Sequence, residues 1–224
     1  MTIMEAINAR HSVRSYKDIP IPQSVISQLQ TEIDACNAEG DLHIQLVTNE
    51  QKAFDGFMAH YGKFSGVQNY IALVGKKCKD LDEKVGYYGE RIVLLAQTLG
   101  LNTCWVAMTF SKGITRKNCI IDAGEKLVVV LSLGYGESEG VPHKSKSISE
   151  ISNYATNMPE WFKKGLEAAL MAPTAMNQQK FKLTLTGSDV EAKSLGGFYS
   201  KVDLGIVKYH FEIGAGKENF KWIS

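Results

Sequence analysis

Arg10-His11-Ser12-Val13-Arg14 puts two guanidiniums, an imidazole and a hydroxyl into five consecutive residues, directly after a short helical pattern. Planar guanidinium forks and a hydroxyl donor suit phosphate and carbonyl oxygens, so the stretch is a candidate anion-binding element. A basic run on a solvated face looks the same, and the segment by itself leaves both readings open. A second stretch, Ala172-Pro173-Thr174-Ala175-Met176-Asn177-Gln178-Gln179, follows a helical pattern and is forced out of it by the proline. It offers the polar groups of Thr174, Asn177 and Gln178 beside small side chains, which lets a flat heteroaromatic ring approach the backbone; an ordinary helix-ending turn is the alternative. A third, Gly100-Leu101-Asn102-Thr103-Cys104-Trp105-Val106-Ala107-Met108, holds a cysteine flanked by Thr and Trp rather than by cations, which argues against a thiolate nucleophile.

Other candidate chemistry falls away. Gly134 and Gly136 form G-x-G after a strand pattern, but no third glycine or helix follows at the required spacing, so a dinucleotide fingerprint is rejected and Gly134–Ser147 reads as an exposed loop. His43, His60 and His210 are scattered without metal-ligand spacing, so no metal centre is expected. His210 reads as a packing or surface residue and Tyr87 and Tyr88 as core or interface. No side chain is expected to act as a protein acid, base or nucleophile.

Composition sets the frame for these segments. The chain has 224 residues, 44% hydrophobic and 22% charged, which excludes a disordered or fibrous protein. Twenty-five Lys and Arg against 24 Asp and Glu leave a net charge of +1, with no pull toward nucleic acid or an anionic membrane. Cys36, Cys78, Cys104 and Cys119 are widely spaced and read as free thiols. The N-terminus has no apolar leader, and the longest apolar runs, Leu127–Leu131 and Ile92–Ala96, are too short to span a bilayer. A soluble cytoplasmic protein is expected.

The elements that position the three segments alternate helix and strand. Helices are expected at Ile3–Ala9, Gln23–Ala38, Asn49–His60, Leu81–Leu99, after Ser111, at Pro159–Met171 and at Leu204–Gly214. Strands are expected around Leu42–Leu46, Asn69–Gly75, Thr103–Met108, Lys126–Gly134 and Phe181–Leu185. This order argues an α/β or α+β layered fold, with a lobe over residues 1–150 and a shorter one over 151–224. Weak echoes between Gly89–Gly100 and Gly205–Gly216, and between His43–Asn49 and Phe181–Gly187, point to two similar lobes about a pseudo-twofold.

Together the three segments resemble the nitroreductase-like family of FMN-dependent oxidoreductases. The family's R-x-S-x-R element stands at Arg10–Arg14. Its A-P-S-A-x-N-Q-P element is similar to Ala172–Gln179, with Thr174 for Ser and Gln179-Lys180 where Q-P-W is usual. Its G-L-G-T-C-W-I-G element is similar to Gly100–Ala107, and Lys144-Ser145-Lys146 resembles its basic K-x-R tail. The resemblance implies an α+β nitroreductase-like fold, central mostly antiparallel sheets flanked by helices, with bound FMN and NAD(P)H as hydride donor. It departs in one respect: the place after the first long helix holds Cys36–Asp41 without the A-P-S-A-x-N turn, which occurs only in the second lobe. In family homodimers the two motifs come from different subunits. One copy of each here implies a fused pseudo-dimer with a single FMN site, similar to a single-chain subgroup of nitroreductases.

By the resemblance, Arg10, Lys144 and Lys146 hold the FMN phosphate and His11 and Ser12 bond the ribityl chain or phosphate. Arg14, with Lys63, faces the N1/O2 edge of the ring, where a cation stabilises the reduced flavin. Pro173, Thr174, Ala175 and Asn177 contact the ring, and backbone N–H groups at Met108 and Thr109 face N5. The implied activity is ping-pong hydride transfer from NAD(P)H to a nitroaromatic, quinone or related small electron acceptor, and the scaffold hosts several related chemistries. No nucleic acid or membrane partner is expected. A monomer suffices to build the site, with homodimerisation left open. Two other readings stand beside this one: a flavin-binding sensor or carrier without turnover, and an interaction domain with accidental motif matches.

Overall fold

Two sheets, each with its own helices, account for the alternation of helix and strand. A computed structural model describes residues 1–223. In chain order the elements begin with α1 (Ile3–Ala9), α2 (Gln23–Gly40), β1 (Gln45–Val47), α3 (Phe57–Tyr61), β2 (Asn69–Lys76), α4 (Leu81–Thr98), β3 (Asn102–Val106) and α5 (Lys112–Asn118). They continue with β4 (Glu125–Gly134), α6 (Ile148–Ile151), α7 (Glu160–Leu170), β5 (Phe181–Thr186), β6 (Asp189–Ser194), α8 (Ser200–Ala215) and β7 (Lys221–Ile223). These form two compact units that interleave along the chain, whereas the expected lobes run consecutively. One unit comprises Met1–Asn8, Asp82–Arg91 and the chain from His143; the other comprises Ala9–Leu81 and Ile92–Pro142.

The Ala9–Leu81 and Ile92–Pro142 unit is built on an antiparallel four-stranded sheet in the order β1-β2-β4-β3. Its central strands are apolar almost without break, as strands covered on both faces must be. Strand alternation sends Tyr70, Ala72 and Val74 of β2 to one face, where they join Val13, Phe54, Phe64, Cys104, Val106 and Phe110 in one buried cluster. The expected helix over Asn49–His60 is broken. The Glu50 carboxylate accepts from the Lys52 and Ala53 N–H groups at 2.8 and 3.1 Å and caps a single 3-10 turn, and extended Gly56 restarts the chain as the five-residue α3. The strand expected from Leu42 begins only at Gln45, Leu42 making an isolated bridge to Gly75. The strand expected to reach Met108 ends at Val106.

The other unit carries the sheet β5-β6-β7, its first pair antiparallel and its second parallel. Left-handed Gly187 and Ser188 make the tight turn of the β5–β6 hairpin. Strand β6 is too polar to show as a strand in sequence, and the glycine is its only local signal. The last helix is longer than Leu204–Gly214, starting at Ser200 after a left-handed Tyr199. Trp161 and Phe162 of α7, Phe211 of α8, and Phe220 and Trp222 beyond it form an aromatic core with ring centroids 4.9–5.9 Å apart.

Within this unit the Asp82–Arg91 part of α4 crosses α8 at backbone contact. A Cβ on Gly86 would run into the Val202 carbonyl oxygen, and one on Gly205 into that of Glu83. Beside this crossing lies a buried ion-pair geometry: His210 Nδ1 donates to the Ala168 carbonyl at 3.1 Å, and Nε2 lies 2.9 Å from Glu90 Oε1, both side chains fully buried. Because Nδ1 must carry its hydrogen, one further proton is held between Nε2 and the Glu90 carboxyl.

The reciprocal glycines set the helix separation, so Gly86→Ala and Gly205→Ala are each expected to destabilise the protein by roughly 1–3 kcal/mol through overpacking. Urea unfolding checks this; an unchanged midpoint for both variants would remove the glycines from any role in the crossing.

Candidate functional site

The thirteen residues singled out in the sequence fall into two clusters, one in each unit. In the four-stranded unit the Arg10–Arg14 segment runs beside β3: the Val13 N–H donates to the Thr103 carbonyl at 3.0 Å, and Ser12 bridges to Thr103. Arg10 is only 3% exposed, which rules out a solvated basic face at that position, whereas Ser12 and Arg14 are exposed. The chain then pairs with Lys63–Ser65. Ser65 N–H donates to the Arg14 carbonyl, Tyr16 N–H donates to the Ser65 carbonyl, and the Arg14 guanidinium lies 5.9 Å from the Phe64 ring centroid. Gly62 packs on Thr109 so closely that a Cβ there would sit 2.6 Å from the Thr109 side chain. Arg14, exposed Lys63 and Thr109 are thereby gathered in one region, next to the half-exposed Met108.

Two expectations are corrected here. Cys104 does have cationic neighbours: Arg14 and Arg10 both act to lower its pKa, together with a hydrogen bond from Ser12, although burial outweighs them and holds the thiol above its ordinary value. The cations come from the Arg10–Arg14 segment, more than eighty residues upstream, so flanking residues could not reveal them. A buried thiol with a raised pKa remains a poor nucleophile. The second concerns the start of the loop after β4, the rest of which is largely exposed as expected. Gly134 and Gly136 are buried, and the segment is strapped along Val13–Tyr16 by hydrogen bonds from Lys17 N–H to the Tyr135 carbonyl and from Glu137 N–H to the Ser15 carbonyl. Gly140 lies against His11 and Ser12. The glycines permit this close approach to the Arg10–Arg14 segment.

In the three-stranded unit the second cluster is a tightly bonded turn. Met176, Asn177 and Gln179 all have φ between 45° and 52°, left-handed values that non-glycine residues adopt at a cost. The surroundings over-determine them. Asn177 Nδ2 donates to the Lys144 carbonyl at 2.8 Å; Gln179 Nε2 donates to the same carbonyl at 2.9 Å and to Asn177 Oδ1 at 2.8 Å. Gln179 Oε1 accepts from the Lys146 N–H, and the Lys146 ammonium donates to the Gln179 carbonyl, both at 2.8 Å. Gln179 N–H donates to Thr174 Oγ1 at 3.1 Å. The Lys144–Lys146 segment and the Pro173–Gln179 turn, separate motifs in sequence, are therefore one bonded body.

The sequence reading missed the group that closes this turn from the other side. Asp203, in the first turn of α8, accepts from the Ala175 N–H at 2.9 Å through Oδ1 and from Gln178 Nε2 at 2.7 Å through Oδ2. Gln178 Nε2 also donates to the Phe198 carbonyl at 2.7 Å. Gln179 was missed as well: it sits in the motif, but nothing local marks it as the buried hub. His43 is not isolated either. Its Nδ1 lies 2.9 Å from Glu125 Oε2, with Asp122 close by, a grouping the scattered sequence positions concealed. The four cysteines are free thiols, and among the described residues no helix is long and apolar enough to cross a membrane.

The sequence family described as "Putative TM nitroreductase" matches residues 2–215. A Thermotoga maritima crystal structure described as a putative nitroreductase is similar at TM-score 0.69 and 24% identity, covering 96% of this chain and 83% of that one. A Parabacteroides distasonis structure, described as a putative NADH dehydrogenase/NAD(P)H nitroreductase, gives 0.54 and 22%, covering 70% and 98%. A Desulfovibrio desulfuricans nitroreductase in complex with FMN gives 0.52 and 16%, covering 67% and 94%. These likenesses give the fold: α+β, nitroreductase-like, with helices and mostly antiparallel sheets. No curated protein matches the chain.

Gln179 is 3% exposed and ties three backbone or side-chain groups together. Gln179→Leu keeps the volume but strands Lys146 N–H and Asn177 Oδ1, and leaves the Lys144 carbonyl with the Asn177 bond. It is expected to lower the unfolding free energy by about 1–3 kcal/mol, the penalty for unpaired polar groups. A denaturant midpoint equal to the wild type's would show that the clamp carries no stability.

Proposed function

The chain belongs to the TM nitroreductase family, and we propose that within it this protein is an FMN-dependent NAD(P)H oxidoreductase acting on nitroaromatics, quinones or related small oxidants. The observation that carries the reading is the span of the family match, residues 2–215, which takes in both clusters whole. When bound, FMN would supply a two-electron carrier, accepting hydride from NAD(P)H at N5 and passing it to the oxidant.

The residues fit such a group by their donor chemistry. Ser12, Arg14 and Lys63 present an exposed hydroxyl, guanidinium and ammonium in one region, the set a phosphate and an electron-rich ring edge require. Arg10, with Lys144 and Lys146, is assigned to the phosphate, and His11 with Ser12 to the ribityl chain or phosphate. Arg14 with Lys63 is assigned to the N1/O2 edge, where their charge favours the reduced state. The Met108 and Thr109 backbone donors are assigned to N5. Pro173, Thr174, Ala175 and Asn177 are assigned to the ring, and the bonds of Asn177 and Lys146 within the turn fix its shape as well. The R-x-S-x-R and A-P-T-A-M-N elements occur once each, which supports a fused pseudo-dimer with one flavin per chain.

The test is the visible absorption of the purified protein, before and after anaerobic addition of NADPH or NADH. One FMN per chain that bleaches is the expected result. Bound flavin that neither nucleotide reduces would turn the reading to a non-catalytic flavin binder, and a colourless protein that refuses added FMN would overturn it. Arg14→Ala is expected to weaken FMN binding about tenfold and to slow bleaching, the loss of one charge-assisted contact. Wild-type occupancy and reduction rate in that variant would remove Arg14 from the assigned role.

A further inference from the structure

Asp203 is a buried carboxylate, 5% exposed, whose two oxygens each take one donor from the same strained turn. We propose that Asp203 is a positioning residue: its ionised carboxylate holds Ala175–Gln178 in the conformation that meets the flavin ring, so that flavin affinity follows the protonation of a side chain outside the ring's contact set. The proposal rests on the functional reading above.

The geometry requires the anion. Ala175 offers an N–H and Gln178 an amide –NH2, so both oxygens of Asp203 face donors. A protonated carboxyl would direct its own hydrogen at one of those donors and lose that bond. Gln178 cannot compensate by turning its amide over, because the same Nε2 donates to the Phe198 carbonyl. Loss of the Oδ2 bond unties Gln178 from Asp203 and leaves it the Phe198 bond; loss of the Oδ1 bond unties Ala175. Either change frees a turn in which Met176, Asn177 and Gln179 are held left-handed.

The anion is also maintained against its surroundings. Burial raises the Asp203 pKa from 3.8 to about 6, opposed by the hydrogen bonds from Ala175 and Gln178, and neither of those groups carries a charge. With the folded value above the unfolded one, the folded chain binds this proton more tightly. Its contribution to stability is therefore fully present at acid pH, declines as pH rises from about 4 to about 6, and is absent above. At neutral pH the fold keeps an ionised group that works against global stability, and the turn it fixes is the gain. The carboxylate geometry, in turn, is present above about pH 6 and is lost as pH falls through that value.

The experiment follows FMN affinity by fluorescence titration from pH 5 to pH 8 in wild type and Asp203→Asn, with the Ala175 amide resonance followed by NMR in the same protein without ligand. In wild type, FMN affinity is expected to drop about tenfold through a one-proton step near pH 6, the magnitude of one bond to a charged group, and the Ala175 resonance to titrate at the same midpoint. In Asp203→Asn the amide still accepts from Ala175 but opposes the Gln178 –NH2, so affinity is expected to stay near the low-pH value with the step near pH 6 abolished. An unchanged step in the variant, or an Ala175 resonance that titrates while wild-type FMN affinity does not, overturns the proposal. Failure of the wild type to bind FMN even at pH 8 overturns the functional reading itself. The two failures are distinct, because the ligand-free resonance reports the Asp203–turn coupling whether or not flavin binds.

Discussion

Three non-glycine residues in left-handed conformations within four positions cannot be held by local preference, and the turn over Thr174–Gln179 is the constraint around which its unit is arranged. The turn needs external partners, and these come from two directions. Lys144–Lys146 supplies a carbonyl, an N–H and an ammonium; α8 supplies the Asp203 carboxylate. The helix α8 can present Asp203 only if its own position is fixed. That is done by its glycine-to-backbone crossing with α4 and by the fully buried His210, which bonds at once to Glu90 of α4 and to the Ala168 carbonyl near the end of α7. Since α7 leads directly into the turn, the same histidine ties both ends of the arrangement.

The two units solve burial differently. The four-stranded unit relies on an apolar cluster with few polar intrusions, and its buried guanidinium, Arg10, lies where it acts electrostatically on Cys104. The three-stranded unit buries acids and answers each one with donors. Glu212 accepts from the Tyr87 hydroxyl, Lys217 and the Trp222 indole; Glu90 meets His210; Asp203 meets Ala175 and Gln178. Buried charges contribute little net stability but tolerate few alternative arrangements, because removing one partner leaves the other exposed to the full desolvation penalty. Of the three, Asp203 bonds the strained turn itself and narrows the geometries open to it.

Long, strongly patterned elements were legible in the sequence: α1, α2, α4, α7, β2, β4 and β5 lie where periodicity placed them, within a few residues. The failures have physical causes. Asn49–His60 carries a helical pattern, but the Glu50 side chain caps one turn and Gly56 ends it. Strand β6 has one fully buried side chain, Val190, so its pairing with β5 and β7 comes from backbone hydrogen bonds and hairpin geometry rather than from alternation. The interleaving of the units was hidden because α4 reads as one uninterrupted helix, although its residues Asp82–Arg91 belong with the C-terminal unit and the rest does not.

The candidate site was legible only as far as motifs are local. Arg10–Arg14 and Pro173–Asn177 stand out because several functional side chains lie within one heptad, where spacing can be read. What holds them in place does not: Asp203 lies 28 residues from Ala175, and Cys104 feels Arg10 and Arg14 from ninety or more residues away. Even inside a motif, type alone shows only part of a residue's work. Asn177 and Lys146 look like ligand groups in sequence, and their polar atoms also bond to Lys144, Gln179 and the Gln179 carbonyl, so they shape the turn as well. A turn with three left-handed residues demands partners from outside it, and in this chain that demand is met by side chains turned inward onto its backbone.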